Sequence, residues 1–170
     1  MNFCHPIYDH WLQDSEIVYT AELPGPPSTL QLFYNDGGET GDQILYGTAD
    51  GKVGLMTMAR SGPEAGWVME QDKSTAGVSC LDNYDVTGDG VRDLIVARQD
   101  GNIEVYSYDD GEEVEPTHKF SHNCGESVTS VEGGVVSTAG YEEVVAATYT
   151  GKIFALSSIP TGTATSAGNH

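Results

Sequence analysis

Five residues in one short loop have the types and spacing to hold a hard cation. Asp85, Thr87, Asp89, Gly90 and Asp93 fall at positions 1, 3, 5, 6 and 9 of a calcium-loop pattern. Carboxylates at that spacing converge on an ion, and the glycine permits the sharp turn between them. Two departures count against the metal. Thr87 stands where an acid or amide is usual, and no bidentate Glu follows at the loop's last position. The same residues also suit a turn in which Asp side chains cap backbone N–H groups. The departures favour the turn, and Asp85, Thr87, Asp89 and Asp93 remain a calcium candidate; no other cofactor is expected.

Other chemistry finds less support. His118, His122 and Cys124 share a strand face by period-two arithmetic, but zinc sites favour other spacings. Ser79 and Cys80 sit in an apolar strand without the strained turn that exposes a nucleophile, so Cys80 reads as a buried thiol. The pairs Gly37-Gly38 and Gly133-Gly134 lack the lysine and helix of a phosphate loop. Trp11 and Trp67 read as packing residues. No catalytic residue is expected, and the chain reads as non-enzymatic.

The element that must position the acidic loop is a repeat. Ile44–Gly51 lies without gaps over Leu94–Gly101 and Val144–Gly151, and Val53, Ile103 and Ile153 follow two residues after each glycine. Asp50-Gly51 and Asp100-Gly101 suit the positive φ angles of a tight hairpin, and Thr150-Gly151 keeps the glycine, so Gly51, Gly101 and Gly151 are expected as structural turn residues. A strand precedes each acidic or degenerate loop: Thr29–Tyr34, Val78–Tyr84 and Val128–Glu132. Another follows the hairpin at one offset from the glycine, Trp67–Glu70 and Thr117–Phe120, with Ile17–Thr20 at that offset for the unit before. Four strands per copy at this period predict an all-β chain. It is expected to be a β-propeller fragment of about three four-stranded antiparallel blades plus one leading strand. The runs Leu94–Ala97 and Val144–Ala147 are apolar throughout, as inner blade strands covered on both faces should be.

The expected organisation is the end of a preceding blade and a Pro-rich connector over 1–27, blades over 28–77, 78–127 and 128–160, and a disordered tail over 161–170. Three copies cannot close a ring, since propellers need at least about four blades, so the chain reads as part of a larger propeller. Seven Lys plus Arg against 26 Asp plus Glu give a net charge of -19. That charge argues against nucleic acid or anionic lipid as a direct partner. Three scattered cysteines make no disulfide framework. MNFCHPIYDHW lacks a basic n-region followed by an apolar h-region, and no run approaches a membrane span; a soluble, reducing compartment is expected.

Several segments carry a resemblance. The acidic loop is similar to the DxDxDGxxDL loops of integrin-type FG-GAP propellers, which implies a calcium-stabilised adhesion module as the alternative reading. That reading would need a secretory route. Glu22–Pro27, Leu45–Lys52, Asp85–Leu94, Asp100–Ser107, Glu126–Ser130 and Glu143–Gly151 together resemble the Bardet–Biedl syndrome 7 family of BBSome subunits, in register over roughly residues 12–160. The resemblance implies the C-terminal part of an N-terminal β-propeller in a scaffold without catalytic residues. It further implies other BBSome subunits as partners and membrane association only through the complex. The expected role is ciliary membrane-protein trafficking, intraflagellar transport and cilium assembly, in the cytoplasm, the cilium and the basal body or centrosomal region. The loops expected to carry contacts are Asn35–Asp42 and Asp85–Asp93.

Overall fold

The computed structural model describes residues 17, 19–33, 42–59, 61–69, 75–108, 115–137 and 139–157. Among them run eleven strands: β1 (Pro27–Phe33), β2 (Asp42–Thr48), β3 (Val53–Ala59), β4 (Gly62–Met69), β5 (Val78–Tyr84), β6 (Asp93–Arg98), β7 (Asn102–Ser107), β8 (Thr117–Asn123), β9 (Val128–Gly134), β10 (Glu143–Thr148) and β11 (Ile153–Ser157). They form three antiparallel sheets in the orders β1-β2-β3-β4, β5-β6-β7-β8 and β9-β10-β11. Each sheet is a blade, and the β-propeller architecture expected from the repeat is the one observed. Among the described residues no helix is long and apolar enough to cross a membrane.

The leading strand expected at Ile17–Thr20 is not assigned as strand at its described residues, Ile17, Tyr19 and Thr20. A strand is defined by ladder pairing, and none of the described ladders includes this run, although Tyr19 lies against Gly62 of β4.

Each hairpin closes on its glycine. Gly51, Gly101 and Gly151 have φ of 95°, 91° and 89°. The N–H of each donates to the carbonyl three residues back, on Thr48, Arg98 and Thr148, at 3.1, 3.1 and 3.0 Å. Among the described residues none other than glycine has positive φ, so Asp50 and Asp100 do not share the left-handed region as the Asp-Gly pairs suggested. This is a type I turn ending in a left-handed glycine, which leaves only one position needing glycine. The turn keeps the same glycine geometry where Thr150 stands in place of Asp.

The register corrects a second expectation. β4 opposes Gly54 with Val68 and Met56 with Ala65, leaving a bulge that holds Trp67 opposite Leu55. In the second blade Val105, fifty residues after Leu55, pairs with Phe120. The structural counterpart of Trp67 is therefore Phe120 and not Thr117: both blades carry a bulge here, but Ser107 pairs with Thr117 where Thr57 pairs with Glu64, so the longer connection from β7 to β8 defeats a fixed offset.

β6 shows how the blades stack. All six of its residues are buried. Leu94 and Val96 point into one core with Leu45, Val53, Leu55 and Val78, while Ile95 and Ala97 point into another with Val128, Val131, Val144 and Ala146. The two-residue period of a strand thus divides one strand between two cores. Burying each of Leu94, Ile95 and Val96 stabilises by about 1.5–3 kcal/mol, and Ala97 by less. The pattern stops at the third blade. Val53 and Ile103 are fully buried, whereas Ile153 is 78% exposed, and at the opposite end Leu30 is 63% exposed.

Candidate functional site

The acidic loop joins β5 to β6 and consumes its own carboxylates. Asp85 accepts from the N–H groups of Gly88, Asp89 and Gly90 at 2.7, 3.1 and 2.8 Å. Asp89 accepts from Val91 N–H at 2.8 Å. Asp93, buried at the start of β6, accepts from Val86 and Thr87 N–H at 2.9 Å each, and its other oxygen accepts from the Ser107 hydroxyl. Thr87 is exposed. Asp85, Asp89 and Asp93 therefore lie in one loop but aim at different backbone donors. Among the described residues, no group of three or more His, Cys, Asp or Glu side chains converges as a metal would require.

The third blade keeps this device although its loop sequence has lost its acids. Glu143, fifty residues after Asp93, accepts from Val136 N–H at 3.0 Å and Ser137 N–H at 2.6 Å, and from the Ser137 hydroxyl. The Ser137 hydroxyl, followed by these backbone donors, holds the Glu143 carboxyl below the usual carboxylate range. In the first blade Gln43 takes the position, and its buried Oε1 has no hydrogen-bond partner among the described residues. The signal was a polar residue opening each apolar run. The loop expected to carry contacts at Asn35–Asp42 lies outside the described residues apart from Asp42, whose backbone opens β2.

The remaining candidates disperse. His118 meets the edge of Tyr106 at a centroid distance of 5.3 Å and His122 meets Phe154 at 6.4 Å. The Cys124 thiol donates to the carbonyls of Gly101 and Glu126 at 3.2 and 3.1 Å. Ser79 donates to the Ala97 carbonyl at 3.0 Å, and burial pushes the Cys80 thiol up, which disfavours the thiolate. Gly133 is a close-packing residue, since a Cβ there would lie 2.3 Å from Cβ of Tyr84. Trp11 and the pair Gly37-Gly38 lie outside the described residues.

Two seams between blades carry the features that motif reading missed. At the first, Arg98 is 1% exposed. Its Nε donates to Glu104 at 2.8 Å, and its Nη1 reaches across to the carbonyls of Gly51 and Ala76 at 3.0 and 3.1 Å. Tyr106 O–H donates to the same Glu104 at 3.0 Å, and burial followed by the Glu104 charge raises the Tyr106 pKa. The signal was a single cation where the sister runs have Thr48 and Thr148. Phe33 and Trp67 of the first blade pack around Tyr108 of the second at centroid distances of 5.7 and 6.2 Å.

At the second seam Phe120 stands in Trp67's place and is 47% exposed, Leu156 in that of Tyr106, and Ser158 is the sequence counterpart of Tyr108. A cleft of about 330 Å³ opens here, walled by Val86, Val105, Phe120, Val144 and Leu156. Across this seam Tyr84 O–H donates to Glu142 at 2.5 Å, and Gly133 N–H donates to Asp82 at 2.7 Å. The Glu142 carboxylate raises the Tyr84 pKa. The arrangement can present loops and a cleft rigidly to a partner.

A family model for the BBS7 beta-propeller matches residues 3–158. The chain is 45% identical over 150 residues to "BBSome complex member BBS7" of Mus musculus, covering 88% of this chain and 21% of the mouse protein. It is 34% identical over 146 residues to "BBSome complex member bbs-7" of Caenorhabditis elegans, covering 85% of this chain and 20% of that protein. The chain thus spans about a fifth of the length of these curated relatives.

Proposed function

This chain belongs to the BBS7 β-propeller family, and from that premise we propose that it acts as a non-enzymatic scaffold within a BBSome-type complex. The observation that carries the reading is the 45% identity to a BBSome complex member over 88% of the chain. The geometry supports it in two ways. Stacked blades with strands shared between cores hold their loops rigidly, and rigid loops are how such folds present contact surfaces. The acidic surface suits basic patches on partner subunits, where complementary charge steers association and fixes register.

The Asp85–Asp93 loop is the contact element best built for this role, because its carboxylates brace the backbone and still leave a negative field outside. Its partners are other BBSome subunits, its membrane association runs through the complex, and its place is the cytoplasm, cilium and basal body, in ciliary membrane-protein trafficking, intraflagellar transport and cilium assembly. The test is affinity purification of the tagged chain from ciliated cells. Recovery of BBSome complex members in stoichiometric amounts is expected; recovery of none of them overturns the reading.

A further inference from the structure

We propose that the cleft between the second and third blades is a docking site for an aromatic side chain carried by a basic, extended segment of a partner protein. The molecule contains its own precedent for the occupant. At the first seam the equivalent space is filled by Tyr108, whose ring packs against Phe33 and Trp67. At the second seam the ring that would receive such a group, Phe120, is in place but half exposed. The walls are apolar: Val86 from the acidic loop, Val105 and Phe120 from the second blade, Val144 and Leu156 from the third. An aromatic ring in this space would make tilted ring contact with Phe120, a geometry aromatic pairs favour.

Charge selects the flanking residues. Glu142 and Lys119 both line the cleft, and Asp85 and Asp89 stand in the loop that also supplies Val86 and Thr87. Glu142 and Lys119 balance within the lining, and Asp85 and Asp89 in the adjoining loop, on a chain of net charge -19, tip the surroundings negative and favour cations on either side of the anchor. The backbone form follows from the neighbouring strands. β8 and β11 are the outermost described strands of their sheets, so an extended segment can run between two strand edges. The site is independent of which complex the chain enters.

The test uses a fluorescein-labelled synthetic peptide, acetyl-Arg-Lys-Val-Tyr-Lys-Arg-amide, titrated with the full chain and read by fluorescence anisotropy. Saturable binding is expected, weakened at least tenfold by Phe120→Ser and by replacing the peptide tyrosine with alanine. Thr87→Lys, at the exposed rim, should weaken it severalfold through like charge and serves if Phe120→Ser does not fold. Ile153→Ser, on the far face of the third blade, should leave it unchanged. The proposal is overturned by absence of saturable binding, by equal binding of a peptide with glutamates in place of its basic residues, or by equal losses in Phe120→Ser and Ile153→Ser. A monomer–dimer equilibrium in sedimentation that Phe120→Ser abolishes would make a second copy the occupant, and would equally overturn it.

Discussion

The two seams join the same kind of blade by different means. Between the first and second blades, Arg98 reaches the Gly51 and Ala76 carbonyls while Phe33 and Trp67 enclose Tyr108. Between the second and third, Asp82 accepts from Gly133 N–H, Tyr84 donates to Glu142, and a cleft remains where the aromatic cluster would be. One register supports both, which teaches that a repeat conserves where contacts fall and leaves their chemistry free. It also places the tightly packed seam and the open one side by side within one rigid unit.

The comparison can be broken most forcefully at Arg98. Arg98→Ala leaves Glu104 partly buried without its cation and strands two carbonyls, so it should cost about 3–5 kcal/mol in a urea titration. A loss under about 1 kcal/mol would show that the first seam does not depend on the arginine. Next comes a matched pair of phenylalanines. Phe33→Ala should cost about 3 kcal/mol, as for a large side chain removed from a packed core. Phe154→Ala, from a half-buried site at the second seam, should cost about 1 kcal/mol. Equal losses would erase the distinction between the seams.

A pH titration sharpens the contrast further. Glu126, hydrogen-bonded by Lys152 and Thr150, is held down to about 2 from 4.5, and Glu143 is also lowered. A carboxyl depressed in the folded state contributes stability that is complete above its unfolded value and lost as protons bind. The third blade should therefore weaken as pH falls from about 4.5 towards 2. Glu126→Gln should flatten the acid dependence of Tm across that window, and an unchanged acid slope would count against the pairing. The smallest effect expected is from calcium. With Asp85 and Asp93 committed to backbone donors, millimolar calcium should leave Tm unmoved; a rise abolished by Asp89→Ala would reinstate the metal.

The architecture was legible because the hairpins repeat without insertion: Ile44–Val53, Leu94–Ile103 and Val144–Ile153 superpose residue for residue. The outer strands were less so. The connection from β7 to β8 is longer than that from β3 to β4, and fixed-offset reading then pairs Trp67 with Thr117 and hides Phe120. The acidic loop was visible as a motif, yet whether an oxygen meets an ion or an N–H depends on backbone path, which spacing does not encode. Gln43, Asp93 and Glu143 went unread as a set because each is polar in a different way. Arg98 escaped because one cation in an apolar run reads as a defect until its carbonyl partners from another blade are in view.

β6 places alternate side chains in two different cores. A gene segment encoding one copy therefore does not encode one core. Excising the copy would strip a layer from each neighbour, while duplicating it would supply both halves of every new contact. Growth by whole copies is open to such a chain at little structural cost, and clean division into autonomous thirds is not.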